Sequence, residues 1–243
     1  MTAAPTIGTF VKFASYQVVE LLGGVGLDFA AIDAEHAPFD RTTLDSMMIA
    51  GRAVSLPLFV RLPDGDTATI LSALDMGAAG LLIPHVDTPE FAADIVARSK
   101  FVDGKRGFSR ATRAAGFGEL PQERVIAQGN ATAIVCQIES PEAVSNVKAI
   151  ARTPGVDILF IGRADLALAM GVAATSSALS DAVNRIAEAA HEANKRLGMY
   201  VAAPEEISKF SGLGASWFIV GSDQAFLRKG ARDAAASIGS LGK

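Results

Sequence analysis

Cysteine is nearly absent from this chain: Cys136 alone among 243 residues leaves no intrachain disulfide and no thiolate set for a zinc cluster. Histidine is almost as scarce, with three residues, and no two of them lie at zinc-ligand spacing. Basic charge is also short. The 22 lysines and arginines stand against 26 aspartates and glutamates, a net charge of −4, so the electrostatic footprint of a nucleic-acid binder is missing, as is any lysine/arginine stripe interleaved with aromatics. No apolar run reaches the roughly 18 residues that a membrane helix needs, and the opening "MTAAPTIGTF" lacks a basic region followed by an apolar core. These absences lead us to expect a protein of the reducing cytoplasm with a small-molecule ligand, and neither nucleic acid nor membrane as partner.

What is present is apolar and rhythmic. Half of the residues are hydrophobic and only 20% are charged, the balance of a compact globule, and the length suits an α/β barrel better than most sandwiches. Eight short apolar runs recur: "IGTFVKF" (7–13), "DFAAIDAE" (28–35), "PLFVRL" (57–62), "GLLIPHV" (80–86), "AIVCQIES" (133–140), "VDILFIG" (156–162), "LGMYVA" (197–202) and "WFIVGSD" (217–223). Helix signals lie between them, with Asp40, Thr88 or Asp87 before Pro89, and Ser140 before Pro141 as N-caps. Strand and helix alternating eight times indicate parallel βαβ units, and near-continuous apolar strands indicate cover on both faces. The reading is an α/β fold, a single closed (β/α)8 TIM barrel over residues 1–243, with an open doubly wound sheet as the alternative.

The interval 100–130, rich in glycine and arginine, breaks the rhythm. It reads as a mobile loop followed by an extra helix from about Pro121 to Gln128; a binding role and a solvated arginine fringe are equally open. "GGVG" (23–26) follows a helix and so is no dinucleotide fingerprint. Neither a nucleophile elbow nor a phosphate loop is found.

Barrel active sites gather at the C-terminal ends of the strands. There the second run ends in Asp33, Glu35 and His36, the third in Arg61, the fourth in His85, the fifth in Gln137 and Glu139, the sixth in Gly162, Arg163 and Asp165, and the eighth in Ser222 and Asp223. Glu139 and Asp165 fall on neighbouring strand ends, and their oxygens suit Mg²⁺ or Mn²⁺. Taken singly, each suits an arginine pair or a helix cap as well. His36 is a candidate acid or base. Arg61 offers fixed positive charge to a carboxylate, carbonyl or enolate oxygen, or pairs with Glu35 or Glu139. His85 has the weaker claim, since it can instead pack under the long loop. A Schiff-base mechanism wants a desolvated lysine inside the barrel; only Lys12 falls in a strand run, which disfavours covalent chemistry.

At "DAEHAPFD" (33–40), "VRLP" (60–63), "QIES" (137–140) and "GRADLALAMG" (162–171) the sequence resembles the HpcH/HpaI family of class II pyruvate aldolases, a likeness extending through "ALDMGAAGLLIPHV" and "KRGFSRATRAAGFG". The resemblance implies a phosphoenolpyruvate/pyruvate-type barrel that cleaves 4-hydroxy-2-oxo acids reversibly to pyruvate, or a close analogue such as hydroxypyruvate, and an aldehyde through an enolate. It implies a divalent metal, Mg²⁺ or Mn²⁺ with Co²⁺ also compatible, on Glu139 and Asp165. It further implies Arg61 on the keto oxygen and His36 in proton transfer, assisted by Asp75 from an adjacent subunit. Asp33, Glu35 and Gln137 would order the site, and the backbone of Gly162, Arg163 and Ala164 would hold the substrate carboxylate. A homo-hexamer with helix 224–238 exchanged between neighbours is implied as well. Many relatives have proline where this chain has Arg163, so that residue is expected to alter the choice of 2-oxo acid. A citrate-lyase-like acyl-CoA lyase and a non-catalytic binding barrel are the alternatives.

Overall fold

The computed structural model describes residues 4–241, with side chains described through residue 238. Eight strands, β1 (Thr6–Val11), β2 (Phe29–Asp33), β3 (Leu58–Arg61), β4 (Gly80–Ile83), β5 (Ala133–Ile138), β6 (Ile158–Ile161), β7 (Arg196–Val201) and β8 (Ala215–Ser222), pair in sequence order and close into a barrel. All pairings are parallel, including β8 on β1. The open-sheet alternative is thereby removed. The helices are α1 (Tyr16–Gly23), α2 (Arg41–Ala53), α3 (Thr67–Met76), α4 (Pro89–Ser99), α5 (Gln122–Asn130), α6 (Pro141–Arg152), α7 (Arg163–Ala169), α8 (Ser177–Glu192), α9 (Glu205–Ser211) and α10 (Asp223–Leu241).

Local chemistry explains where the helices begin. Asp40 accepts the Thr43 N–H at 2.7 Å, Thr88 the Phe91 N–H at 3.2 Å, and Ser140 the Ala143 N–H at 2.9 Å. Pro89 and Pro141 follow at the first helical position, where a missing N–H costs nothing.

The strands bury both faces. Outward residues such as Ile32, Val60, Leu81, Cys136 and Leu159 pack under the helices, and burial pushes the Cys136 thiol up to about 12. Inward residues form a separate cluster inside the barrel, built on Phe10, Phe29, Phe160 and Trp217. Phe29 stacks on Trp217 with centroids 4.3 Å apart, and Phe59 meets both rings edge-on or tilted. Glycine makes room for them: Gly8 pairs with Phe29, Gly80 with Phe59 and Gly198 with Trp217 across the ladders. A Cβ on Gly8 would lie 2.5 Å from the Phe29 ring, so the aromatic occupies the volume that a side chain there would need.

Three expectations need correction. β1 ends at Val11, so Lys12 sits one residue beyond the strand, where the buried Asp223 carboxylate takes over the backbone bonding by accepting the Lys12 and Phe13 N–H groups. The 100–130 interval is not an arginine fringe: Arg106 is buried against Asp75 at 2.9 Å and Arg113 binds Asp45 at 2.7 Å, which ties the loop to α3 and α2. Its helix, α5, runs one to two residues later than expected, because Pro121 occupies the cap position.

Candidate active site

Asp33, at the end of β2, stands directly opposite Arg61 in the ladder to β3. That register makes a bidentate pair, with Arg61 Nε 2.9 Å from Oδ1 and Nη2 2.7 Å from Oδ2. Lys12 Nζ reaches Oδ2 at 2.9 Å, and the His36 N–H donates to Oδ1 at 3.1 Å. Burial pushes the Asp33 carboxyl up, but the Arg61 hydrogen bonds and charge, Lys12 and the His36 N–H together hold it below the ordinary carboxylate value. Asp33 is thus the anchor of this strand end, and Arg61 is aimed by it.

Glu35 has the opposite character. Burial is the largest influence and raises its pKa; Arg61 and His36 oppose this, and the charge of Glu139 adds to it. Its Oε2 is 3.3 Å from Arg61 Nε and 3.8 Å from His36 Nε2, yet makes no hydrogen bond. His36 itself is half exposed at the cavity wall.

Glu139 is buried just past β5 and fully engaged. Its Oε1 accepts the His85 N–H at 2.8 Å and lies 3.1 Å from His85 Nδ1, and its Oε2 accepts a short bond from Gln137 Nε2. Gln137 and Glu139, two residues apart, therefore share the lumen side. The Gln137 Oε1 atom is buried without a hydrogen-bond partner. His85 does not pack under the long loop. It is largely exposed, its Nε2 3.6 Å from Glu35, and its backbone has φ +53°, a left-handed conformation costing roughly 1–3 kcal/mol in a residue with a Cβ. That turn directs its N–H at Glu139.

On the neighbouring strand, β6, the last residue, Ile161, is followed by Gly162. Its φ is ordinary, so space is what requires glycine: a Cβ would lie 2.7 Å from Glu139 Oε2 and 3.2 Å from Gln137 Nε2. α7 starts immediately afterwards. Asp165 lies in its first turn, exposed and without an ion pair among the described residues, and does not cap it. Arg163 lies beside α9, its guanidinium 4.6 Å over the Phe210 ring and 3.4 Å from Glu206.

Lys12, His36, Arg61, Gln137, Gly162, Arg163, Ala164 and Asp165 line one cavity of about 440 Å³, walled by Phe10, Phe160 and Tyr200. Glu139 lies behind Gly162 and Gln137. Asp75 does not line this cavity; it is on α3. Tyr200 and Glu206 escaped the sequence reading, and Lys12 was set aside. The signal for Lys12 was the alternation Gly8, Phe10, Lys12 along one strand face. Tyr200 sits in an otherwise ordinary apolar run, and nothing local marks it.

Oxygen donors dominate the β5–β6 side: an exposed Asp165 carboxylate, Glu139 and the unpartnered Gln137 Oε1. Such a set fits a hard divalent cation, although no group of three or more histidine, cysteine, aspartate or glutamate side chains among the described residues forms a ready metal cage.

Residues 6–229 match the model of the HpcH/HpaI aldolase/citrate lyase family. A 5-keto-4-deoxy-D-glucarate aldolase of Salmonella arizonae is 37% identical over 227 residues, covering 92% of this chain and 88% of that one. Its counterpart from Klebsiella pneumoniae is 36% identical, with 91% and 88% covered. Among solved structures, an HpcH/HpaI aldolase/citrate lyase family protein of Burkholderia cenocepacia superposes with a TM-score of 0.92 at 31% identity, over 97% of this chain and 95% of that one.

Proposed function

The chain belongs to the HpcH/HpaI aldolase/citrate lyase family, and from that premise we propose that this cavity performs reversible aldol cleavage of 4-hydroxy-2-oxo acids. It is a carbon–carbon lyase whose products are an aldehyde and pyruvate, or a close analogue such as hydroxypyruvate. The observation that carries the reading is the buried Asp33–Arg61 pair, which holds a guanidinium at the wall of the cavity that Asp165 also lines.

Cleavage leaves an enolate, so negative charge grows on the 2-oxo oxygen. Arg61 is preorganised to meet it: both Asp33 hydrogen bonds exist before substrate arrives, and little reorganisation accompanies the charge. The other end of the breaking bond needs a base for the 4-hydroxyl proton. His36 lines the cavity and its backbone is fixed by Asp33, so its imidazole is the group we assign to accept that proton and return it in the synthetic direction. Asp75 assists from a neighbouring copy in a hexamer, with helix 224–238 exchanged. The substrate carboxylate lies against the backbone from Gly162 to Ala164, where Gly162 keeps the approach open.

Glu139 and Asp165 would hold a divalent cation, Mg²⁺ or Mn²⁺ with Co²⁺ also compatible, and Gln137 would order Glu139. When bound, the cation supplies Lewis-acid stabilisation of the developing negative charge. The assignment to the cytoplasm rests on the single cysteine of the chain, Cys136, which leaves no intrachain disulfide framework. Among the described residues no helix is long and apolar enough to cross a membrane.

Loss of the pyruvate methyl signal in D₂O, followed by proton NMR with metal-free protein before and after Mg²⁺ or non-broadening Mn²⁺, tests the enolate half of the reaction. Exchange that requires the cation and disappears in Glu139→Ala is the expected result. Absence of exchange with every cation would remove pyruvate as the donor, and the same absence with hydroxypyruvate would remove the aldolase reading.

A further inference from the structure

Outside the barrel lumen, a second cavity of about 440 Å³ opens between the last turns of α2 and α3, the 100–130 interval and α5, and it shares no lining residue with the strand-end cavity. Four guanidinium groups line it, those of Arg52, Arg106, Arg113 and Arg124, and no aspartate or glutamate does. Two of the four have a counter-charge: Arg106 Nη2 donates to Asp75 at 2.9 Å and Arg113 Nη2 to Asp45 at 2.7 Å. Arg52 and Arg124 are exposed and, among the described residues, make neither an ion pair nor a hydrogen bond. Glu119 and Glu123, close to Arg124 in the chain, are exposed and lie outside the lining. Four positive charges therefore face two negative ones.

Helix ends do not account for the excess. The partial negative charge of a helix C-terminus resides on carbonyls that lack a donor, and here backbone groups already serve them. The Leu56 N–H donates to Gly51 at the end of α2, the Ala78 N–H to Ala73 on α3, and the Ala131 N–H to Ala127 and Gln128 on α5. Arg106 gives the cavity a fixed floor. Its side chain is only 3% exposed, its guanidinium lies 4.3 Å over the Phe101 ring, and its Nε has no hydrogen-bond partner. Gly129 makes the room, since a Cβ there would lie 3.1 Å from Arg106 Nη1. Cations in excess of their counter-charges on a partly desolvated wall are stabilised when an anion joins them. Guanidinium forks match phosphate oxygens, and two unmatched positive charges match the dianion that a phosphate monoester carries near neutral pH. Phe101, Leu120 and Val125 add apolar surface for an organic group.

We propose that this cavity is a second binding site, which takes a small phosphate monoester through Arg52 and Arg124. It stands independently of the aldolase reading. Calorimetry at about 0.15 M salt, where exposed charges further apart than about 8 Å are screened, tests it with phenyl phosphate, inorganic phosphate and phenol as probes. Mg²⁺ and saturating pyruvate are present to fill the strand-end cavity. The wild type is expected to bind one phenyl phosphate per chain, to bind inorganic phosphate more weakly, and to ignore phenol. The double variant Arg52→Gln/Arg124→Gln should weaken phenyl phosphate by about tenfold or more, the scale of a lost hydrogen bond to a charged group. Thermal melting controls for folding, and phenyl phosphate should raise the melting temperature of the wild type more than that of the variant. A wild type that binds no phenyl phosphate, or a folded double variant that binds it as tightly, would overturn the proposal. Inorganic phosphate bound as tightly as phenyl phosphate would overturn the assignment to a monoester and leave an inorganic anion as the occupant.

Discussion

The two ends of the barrel lumen are built from the same strands and could hardly differ more. On β2, Phe29 lies at the lower end and Asp33 at the upper; on β3, Phe59 and then Arg61; on β1, Gly8, with Lys12 one residue past the strand end. The lower end is a dry aromatic plug of Phe29, Phe59 and Trp217 seated on glycines. The upper end is a charged ring around Asp33 and Glu139. Two or four residues along a strand return to the same face, so a change of residue type over one or two pleats separates the part that stabilises the barrel from the part that acts. The two layers also differ in what they tolerate. A plug needs volume, whereas a ring of buried charges needs every partner present.

Substitution at the upper ring should have the largest effect, because it strikes both properties. Asp33→Asn leaves Arg61 and Lys12 without their shared counter-charge, a loss of about 3–5 kcal/mol for a broken buried pair, and lets Arg61 drift from the cavity. Chemical denaturation and methyl exchange should both fall sharply; a variant that loses neither would show that the ring is held by other contacts. The same residue predicts a pH dependence. Its folded pKa lies below the unfolded value of about 3.8, so its stabilisation is complete above that value and is lost as pH falls through the folded pKa. Asp33→Asn should therefore flatten the acid limb of the stability profile. An unchanged acid limb would contradict the assigned direction.

At the plug, Trp217→Ala should cost a similar 3–5 kcal/mol but only in stability. Below its lowered melting temperature, methyl exchange is expected to remain within a few-fold of wild type. Exchange lost in a folded Trp217→Ala protein would erase the division between the two ends.

The smallest effect is expected at the rim. Arg163 lies on Phe210 beside Glu206, and Arg163→Pro should change relative rates with pyruvate and larger 2-oxo acid donors by a few-fold, the scale of one partly exposed ion pair and cation–π contact. Identical donor profiles would remove Arg163 from substrate choice.

Much of this was legible from local pattern. The eight strands, the caps at Asp40, Thr88 and Ser140, and the crowding of polar residues at strand ends all follow from periods of two and from side chains acting within three residues. The partners were less accessible. Arg61 was open to Glu35 or Glu139, and its main partner proved to be Asp33, because the β2–β3 register sets those two side by side. His85 had a weak claim from its position after Pro84, yet its left-handed backbone delivers it to Glu139.

By itself, the sequence determined eight alternating strand and helix units, the strand ends at which polar groups collect, and the family likeness carried by short motifs around Asp33, Arg61, Glu139 and Asp165. The first two depend on backbone periodicity, which one strand or helix expresses without its neighbours, and the likeness depends on the order and spacing of the motifs. Only the tertiary structure decided that Lys12 and Arg61 share Asp33, that Gly162 must lack a Cβ to clear Glu139, and that Tyr200 joins Phe10 on the cavity wall. Each of these joins residues far apart in the chain, and barrel closure, which brings β8 beside β1, sets their distances.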